Sequence, residues 1–456
     1  MIESINPATE EIIKNYELMN DEQISQILHH SYRAYENWRN TSLDQRIELF
    51  RQLGETLRSK KEEYGRLMTR EMGKPISQAI AEVEKCAWTC DVYADNVKEW
   101  LKEELVEADG KEHRVIYQPL GVILSVMPWN FPFWQVFRFA IPSLIVGNTA
   151  ILKHSNAVPG CAVTIEQIFN DAGFPEFVFQ TILADHHQVE DLIGSDMIAG
   201  VSLTGSTGAG KRIAELAGKH LKKVVLELGG SDPFIVFDDV DLDVVIPKAI
   251  TGRMQNNAQS CIAAKRFFVH ENIIDEFIEQ YAEAVNNLKI GDPQDEETDI
   301  GPLANHTQLK TVIDQLENAK AKGGKVITGG NVPDQPGYYF HPAIVSNVNS
   351  SMKVLTEEVF GPVAPIISFS SEDEVIEKAN SSEFGLGGSV WTRDLERGER
   401  VARRLAVGTA FVNSIVKSDP RMPFGGIKQS GLGRELSKYG LKEFVNTKGI
   451  NIYEHQ

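Results

Sequence analysis

An α/β fold built on a parallel, doubly wound sheet is predicted by three features of the 456-residue sequence. Short apolar runs alternate with helical stretches between about residues 120 and 230, polar and glycine residues gather just after those runs, and a second alternation follows to about residue 412. Five strand candidates joined by four crossovers in about a hundred residues imply a parallel sheet, because parallel neighbours need a crossover connection. A chain of this length outgrows one core, so two or more domains are expected.

The first hundred residues read as covering helices. Asn20 and Asp21 cap a segment with Ile24, Ile27, Leu28, Tyr32 and Tyr35 on one side, and a second helix begins near Asp44 with Ile47, Phe50, Leu53 and Leu57 as its stripe. Gly73 and Pro75 signal a stop, and the next helix carries Cys86 and Cys90 towards Leu101. Residues 102–119 turn extended and alternating, as in a hairpin arm. Strands are then expected at 122–127, 150–153, 178–183, 200–203 and 223–227, with helices starting near Pro132, Pro159, His187 and Thr207. The second unit has strand candidates at 233–237, 266–270, 325–328, 364–369 and 389–392. Residues 425–433 are glycine-rich and loop-like, and a terminal strand is expected at 449–453.

One stretch invites a membrane reading, since residues 121–147 hold a single formal charge, Arg138. Pro128, Pro132 and Pro142, with Asn130 and Gln135, argue instead for a buried strand, a loop and a buried helix, because a lipid-exposed helix must satisfy the backbone groups that proline frees. A composition of 42% hydrophobic and 24% charged residues is that of an ordinary globular protein, and a net charge of -18 disfavours nucleic acid and anionic membrane as partners. No signal-peptide pattern opens the chain, and with only four cysteines the reducing cytoplasm is the expected location.

Cys86, Cys90 and Cys161 have no metal-ligand spacing and no histidine set beside them, so they read as packing residues and no metal is expected. Cys261 differs. A lone cysteine is more often a small core hydrophobe, but Asn257, Ala258, Gln259 and Ser260 suit a tight loop beside polar chemistry. Thirty-four positions upstream lies Glu227, and a thiol and a base on separate rigid segments suit covalent attack on a carbonyl. Ligands of open parallel sheets bind beyond the carboxyl ends of the strands, where this chain places Asn130, Lys153, Thr204-Gly205-Ser206 and Glu227-Leu228-Gly229. The loop Gly205 to Arg212 follows a strand and opens a helix, which suits either a phosphate or a plain structural turn. It nearly matches a P-loop, but Arg212 replaces the magnesium-holding hydroxyl and no Walker-B type aspartate stands out.

Taken together, Pro128-Trp129-Asn130-Phe131-Pro132, Thr204-Gly205-Ser206-Thr207, Glu227-Leu228-Gly229-Gly230, Gln259-Ser260-Cys261, Glu357-Glu358-Val359-Phe360-Gly361-Pro362 and Pro423-Phe424-Gly425-Gly426-Ile427-Lys428 resemble the aldehyde dehydrogenase superfamily, nearest to its short bacterial succinate-semialdehyde dehydrogenases. The resemblance implies a Rossmann-type coenzyme domain over 1–101 and 120–229, a catalytic domain over 230–430, and an oligomerisation arm and tail over 102–119 and 437–456, assembling as a homodimer or homotetramer. It implies that Cys261 attacks the aldehyde, that Asn130 and the Cys261 backbone N–H stabilise the oxyanion, and that Glu227 activates water to hydrolyse the thioester. Trp129, Lys153, Asn156, Gly205, Ser206, Gly210, Leu228, Glu358 and Phe360 would hold the dinucleotide. Where the family commonly places a glutamate three residues after Lys153, this chain has Asn156, and loss of that charge favours NADP while leaving NAD possible.

The resemblance also implies a substrate pocket of Arg138, Trp134 and Ser418, with Arg138 bound either to a substrate carboxylate or to an internal Asp or Glu. Gln255 stands where many succinate-semialdehyde dehydrogenases carry a second arginine, so a broader aldehyde range is the alternative expectation. Ala263 stands where some relatives have a second cysteine, so no paired-thiol switch is expected. With Glu227 present, a CoA-acylating enzyme is disfavoured, and with every catalytic role filled, so is a non-catalytic dinucleotide-binding protein.

Overall fold

In the computed structural model, which describes residues 1–454, the five apolar runs between 122 and 227 form one parallel sheet. Its order is Lys223–Glu227, Ile198–Thr204, Val122–Met127, Thr149–His154 and Phe179–Ile182. Val122, Ile123 and Leu124 are fully buried, as expected where helices cover both faces and strands read as continuous apolar runs. The first strand lies in the middle. The chain winds outward from it on one side, then crosses to Ile198–Thr204 on the other, and Val126 is in register with Leu203 across that switch. The loops after Met127 and Thr204 therefore leave the sheet side by side, which opens the crevice that such folds use for ligands.

The second unit is a seven-stranded sheet in the order Lys325–Thr328, Ala343–Ser346, Val363–Phe369, Ala264–His270, Asp232–Val236, Gly387–Trp391 and Thr409–Val412. All neighbours are parallel except the first pair. Ala343–Ser346 and Thr409–Val412 escape the sequence reading because four residues carry too little periodicity to be distinguished from a loop.

Three local expectations need correction. The N-terminus opens with an antiparallel pair, Ile2–Ile5 and Ile12–Tyr16, before the first helix, Asp21–Trp38, starts at a capping box between Asn20 and Gln23. The 102–119 arm is hardly a hairpin, since Glu104–Leu105 is only two residues long; the eight-residue partner of Glu112–Pro119 is Val445–Ile452, from the far end of the chain. That strand is longer than the 449–453 expected, and the last two residues of the tail lie outside the described residues. Within 425–433, Gly431–Leu432 pairs antiparallel with Leu226 and Glu227 and extends the first sheet. Gly431 has φ +146°, and a Cβ there would sit 2.0 Å from the Leu226 carbonyl oxygen, so only glycine brings this segment against the strand that ends in Glu227.

The apolar 121–147 stretch resolves into the strand Val122–Met127, a loop and the helix Trp134–Ile145, every residue of which is buried. Among the described residues no helix is long and apolar enough to cross a membrane. The long helix Ile76–Trp100 packs against Trp134–Ile145 and carries side chains into the site, so the N-terminal helices do more than cover the sheet.

Candidate active site

Cys261 stands on a loop whose backbone is forced into an uncommon shape. After the helix Leu242–Met254, residues Asn256, Asn257 and Ala258 take φ of 59°, 54° and 61°. Asparagine tolerates the left-handed region, whereas for alanine it costs roughly 1–2 kcal/mol. Hydrogen bonds to distant segments hold the shape. Asn256 Nδ2 donates to the Asn130 carbonyl (2.7 Å), Asn257 Nδ2 to the carbonyls of Gly73 and Pro302 (2.8 Å each), and the Ala304 N–H donates to Gln259 Oε1 (2.9 Å). Buried Arg253 gathers the carbonyls of Val359, Gly361 and Val363, tying this loop to the Glu358–Phe360 motif. Lys265 Nζ donates to the carbonyls of Ser260 (2.8 Å) and Cys261 (2.5 Å) and pairs with Glu358 at 3.3 Å. The thiol is thus carried on backbone held from several sides, as a precise nucleophile requires.

Asn130 reaches the same place from the other domain, its Nδ2 donating to the Gln259 carbonyl at 3.1 Å. Its loop is positioned by Glu82, which nothing in the sequence reading singled out. Glu82 Oε1 accepts the N–H groups of Phe133 (2.9 Å) and Trp134 (2.8 Å) at the start of the helix Trp134–Ile145, where free N–H groups favour an anion. Its other oxygen pairs with Lys74, and both side chains are buried. Removing one member of a buried pair leaves an uncompensated charge. Glu82→Ala is therefore expected to lower stability by about 3–5 kcal/mol, read as a fall in denaturation midpoint; an unchanged midpoint would rule out this anchoring role.

Glu227 ends the strand Lys223–Glu227, almost fully buried, and neither carboxylate oxygen accepts a hydrogen bond from the protein. Burial pushes its pKa up to about 8, against the opposing pull of Arg138, whose guanidinium lies 3.7 Å away, while the nearby Glu435 carboxylate pushes the same way as burial. Burial likewise pushes the Cys261 thiol up to about 12, and Glu227 is the foremost charged contributor. Burial thus pushes both groups towards their neutral forms, and Glu227, whose value lies nearer neutrality, is the readier of the two to ionise, as suits a candidate base.

Arg138 has an internal partner. Its guanidinium pairs directly with Glu435, donates to Thr204 Oγ1 at 3.2 Å and lies 4.9 Å from the Phe424 ring centroid, and the whole side chain is buried. Glu435 is thus the internal carboxylate that the sequence left unnamed. Glu435 was missed because nothing in the glycine-rich run before it signals a buried charge, and it meets Arg138 only through the folding of 424–435 back against the first sheet.

A cavity of about 220 Å³ at the switch point is lined by Trp129, Asn130, Gln135, Thr204, Gly205, Ser206, Leu228, Gly229, Cys261, Gln308, Glu358 and Phe360. The Trp129 and Phe360 rings meet edge to face at 5.7 Å. Glu358 accepts the Gly230 N–H at 3.0 Å, and a Cβ on Gly229 would lie 2.5 Å from its other oxygen. Gly210 does not line the cavity; it lies behind it, where a Cβ would meet the Leu228 side chain at 2.5 Å. Ser206 caps the helix Thr207–Lys219, accepting the Ala209 N–H at 3.3 Å, so the positive end of the helix dipole faces this side. Arg212 is turned away, forked onto Glu190 at 2.9 and 3.0 Å, which removes the P-loop alternative's metal position.

Lys153 and Asn156 lie one strand over, at the end of Thr149–His154, with Lys153 Nζ donating to Asn156 Oδ1 at 3.2 Å. Among the described residues no carboxylate lies within pairing distance of Lys153, and Asp185, which acts on it from further off, is engaged in capping the helix His186–Gly194. Trp134 and Ser418 both contact a residue the sequence reading passed over, Lys85. Gln255 is exposed. Cys86, Cys90 and Cys161 are buried, with pKa values raised by desolvation, as suits packing thiols.

Comparison with known proteins bears on the whole length of the chain. The model of the aldehyde dehydrogenase family matches residues 1–450. A Synechocystis protein named as a probable NADP(+) succinate-semialdehyde dehydrogenase is 46% identical over 451 residues, 99% of each chain. An Escherichia coli succinate semialdehyde dehydrogenase named for NAD(P)+ is 43% identical over 447 residues, 98% of this chain and 97% of that one. Among solved structures, a Streptococcus pyogenes succinic semialdehyde dehydrogenase in complex with NADP+ superposes with a TM-score of 0.98 at 37% identity, covering 100% of both chains. Matched over nearly its whole length by the family model and by these relatives, the protein belongs to the aldehyde dehydrogenase family.

Proposed function

We propose that this protein oxidises succinate semialdehyde to succinate with NADP. The observation that carries the chemistry is the convergence of Cys261, Asn130 and Glu227 from three separate elements on one end of the first sheet. Cys261 Sγ bonds to the aldehyde carbon as its proton passes to water in the crevice, and the oxygen, now carrying the electron pair of the C=O bond, takes hydrogen bonds from Asn130 Nδ2 and the Cys261 N–H. The dinucleotide, when bound, supplies the hydride acceptor. Glu227 then takes a proton from the water that cleaves the thioester, regenerating the thiol and releasing the acid. Arg138, held by Glu435, keeps positive charge beside Glu227 as that carboxyl group ionises.

The crevice fits a dinucleotide. Gly229 leaves room that a side chain would fill, Glu358 has an oxygen turned towards Gly229, and Lys153 is a buried cation that pairs with no carboxylate among the described residues. Asn156 beside Lys153 brings no negative charge against a 2'-phosphate, and the relatives named for NADP(+) support the same preference. Assays of wild type and Asn156→Glu, each with NADP and NAD and with succinate semialdehyde or butanal, test the reading. Wild type is expected to favour NADP and succinate semialdehyde. The added carboxylate is expected to shift the NADP-to-NAD ratio of kcat/KM towards NAD by about five- to tenfold; an unchanged ratio would sink the charge argument. A broad aldehyde dehydrogenase is the second reading, favoured by the exposed Gln255 and by Glu435 occupying Arg138, and equal kcat/KM for the two aldehydes would select it.

A further inference from the structure

The two donors read as meeting the substrate oxygen are supported differently by the protein. Asn130 Nδ2 already commits one hydrogen to the Gln259 carbonyl at 3.1 Å, whereas among the described residues the Cys261 N–H donates to no acceptor of the protein. That N–H belongs to the same planar amide as the Ser260 carbonyl, so a group that draws electron density onto the carbonyl oxygen makes the N–H a stronger donor. The Ser260 oxygen accepts two hydrogen bonds, from the Ala263 N–H at 3.2 Å and from Lys265 Nζ at 2.8 Å. The second comes from a cation.

Lys265 is the second residue of the strand Ala264–His270, and its side chain is wholly buried. Besides Ser260, its ammonium donates to the Cys261 carbonyl at 2.5 Å and pairs with Glu358 at 3.3 Å, so each of its three donors faces an acceptor. A trans peptide turns its C=O and N–H to opposite sides, and no cis bond occurs among the described residues. With the Ser260 carbonyl turned to Lys265, the Cys261 N–H therefore points away from it. Cys261 lines the 220 Å³ cavity and Lys265 does not, which places the cation behind the peptide. The charges around it are otherwise engaged: Asp232, whose pKa burial raises and Lys265 opposes most, accepts the Gly387 N–H, and Arg138 is held by Glu435. The thiol feels the same ammonium. Burial and then Glu227 raise its pKa, Arg138 and Lys265 lower it, and Glu358 opposes them.

We propose that Lys265 is the positioning residue of the oxyanion site: its buried ammonium, bonded to the Ser260 carbonyl, polarises and orients the peptide whose N–H receives the oxyanion that forms when Cys261 attacks an aldehyde. A charge-assisted bond is about twice as strong as a neutral one, and in a buried site its pull on the amide is little screened. The bond to the Cys261 carbonyl fixes the next peptide plane as well, so the thiol and its N–H are held together. Pairing with Glu358 joins this cation to a residue read as holding the dinucleotide. Lys265 touches neither the aldehyde nor the dinucleotide in this role; it acts through the peptide and through its field on the sulfur.

The inference rests on the reading of Cys261 as the nucleophile of an aldehyde oxidation, and one set of measurements separates the two. The burst of reduced dinucleotide at saturating NADP is timed with succinate semialdehyde and with butanal in wild type and Lys265→Met. Beside it stands the rate of alkylation of Cys261 by iodoacetamide, which needs the thiolate but no oxyanion site; the other three cysteines are buried. In Lys265→Met the burst is expected to slow about 10- to 100-fold on both aldehydes alike. Alkylation is expected to slow about threefold at each pH from about 7 to 9, as the thiol loses a neighbouring cation. The excess of the first loss over the second is the share of the peptide. No burst in wild type with either aldehyde defeats the reading of Cys261 itself. A wild-type burst that survives Lys265→Met, or slows no more than alkylation does, overturns the role of Lys265 and leaves the nucleophile in place. A slower burst with alkylation unchanged or faster also overturns it, because removing a lysine that merely props the loop would loosen and expose the thiol. Should Lys265→Met fail to fold, Lys265→Gln, which keeps a neutral donor, carries the same test: the same two losses support the inference, and unchanged rates overturn it.

Discussion

Cys261→Ala is expected to lower kcat for aldehyde oxidation by at least about 10⁴-fold while dinucleotide binding and the thermal midpoint stay close to wild type. The separation follows from the local structure. The loop is held by Asn256, Asn257 and Gln259 through backbone carbonyls and N–H groups, and Lys265 grips the carbonyl of residue 261; none of these contacts uses the sulfur. Removing the sulfur therefore removes chemistry and little else. No other thiol can substitute, because Cys86, Cys90 and Cys161 are buried away from the cavity and Ala263 supplies none. Steady-state kinetics with binding measured by fluorescence checks this, and oxidation persisting at more than a small fraction of the wild-type rate would show that another group is the nucleophile.

Glu227→Gln is expected to slow steady-state turnover by about 10²- to 10⁴-fold, yet to leave a burst of reduced dinucleotide close to one per active site. The burst survives because attack and hydride loss precede the step that needs a base, and the trapped acyl-enzyme is visible by mass. The pH dependence has a definite sign. Glu227 works as the carboxylate, and burial raises its pKa to about 8, so the active form is scarce well below that value and grows with rising pH. The wild-type rate of the hydrolytic step is expected to climb towards a plateau above about pH 8, and Glu227→Gln to lose that limb. A mutant that retains the limb, or loses the burst together with turnover, would move the base role elsewhere or place Glu227 earlier in the reaction.

Both effects depend on parts of the site that differ in how they are encoded. Asn130 and Glu227 stood out because each lies at or just beyond the end of an apolar strand, and parallel order makes those carboxyl ends open together, whereas Cys261 stood out by the small polar run before the strand Ala264–His270. The contacts that position them were not. Glu82 looks like any acid on an amphipathic helix until it is seen capping Trp134–Ile145, and Asn256 and Asn257 look like loop residues until their left-handed backbone and long-range bonds appear. The arm was misread for a related reason: the alternation of 113–118 reports an extended strand but not its partner, which comes from Val445–Ile452.

The amino-acid sequence alone determined the two α/β units, the strands of the first sheet to within about two residues, Cys261 and Glu227 as the candidate thiol and base, and the absence of a carboxylate at Asn156. These rest on local signals: periodicity, turn chemistry, and residue type at a strand end. Only the tertiary structure decided where the charges go. Arg138 had two possible partners until the chain brought Glu435 against it, and Lys85 was an ordinary helical lysine until Ser418, 333 residues away, met it above Trp134. The physical reason is that burying a charge is unfavourable unless an opposite charge arrives, and which one arrives depends on contacts between segments that carry no mutual signal along the chain.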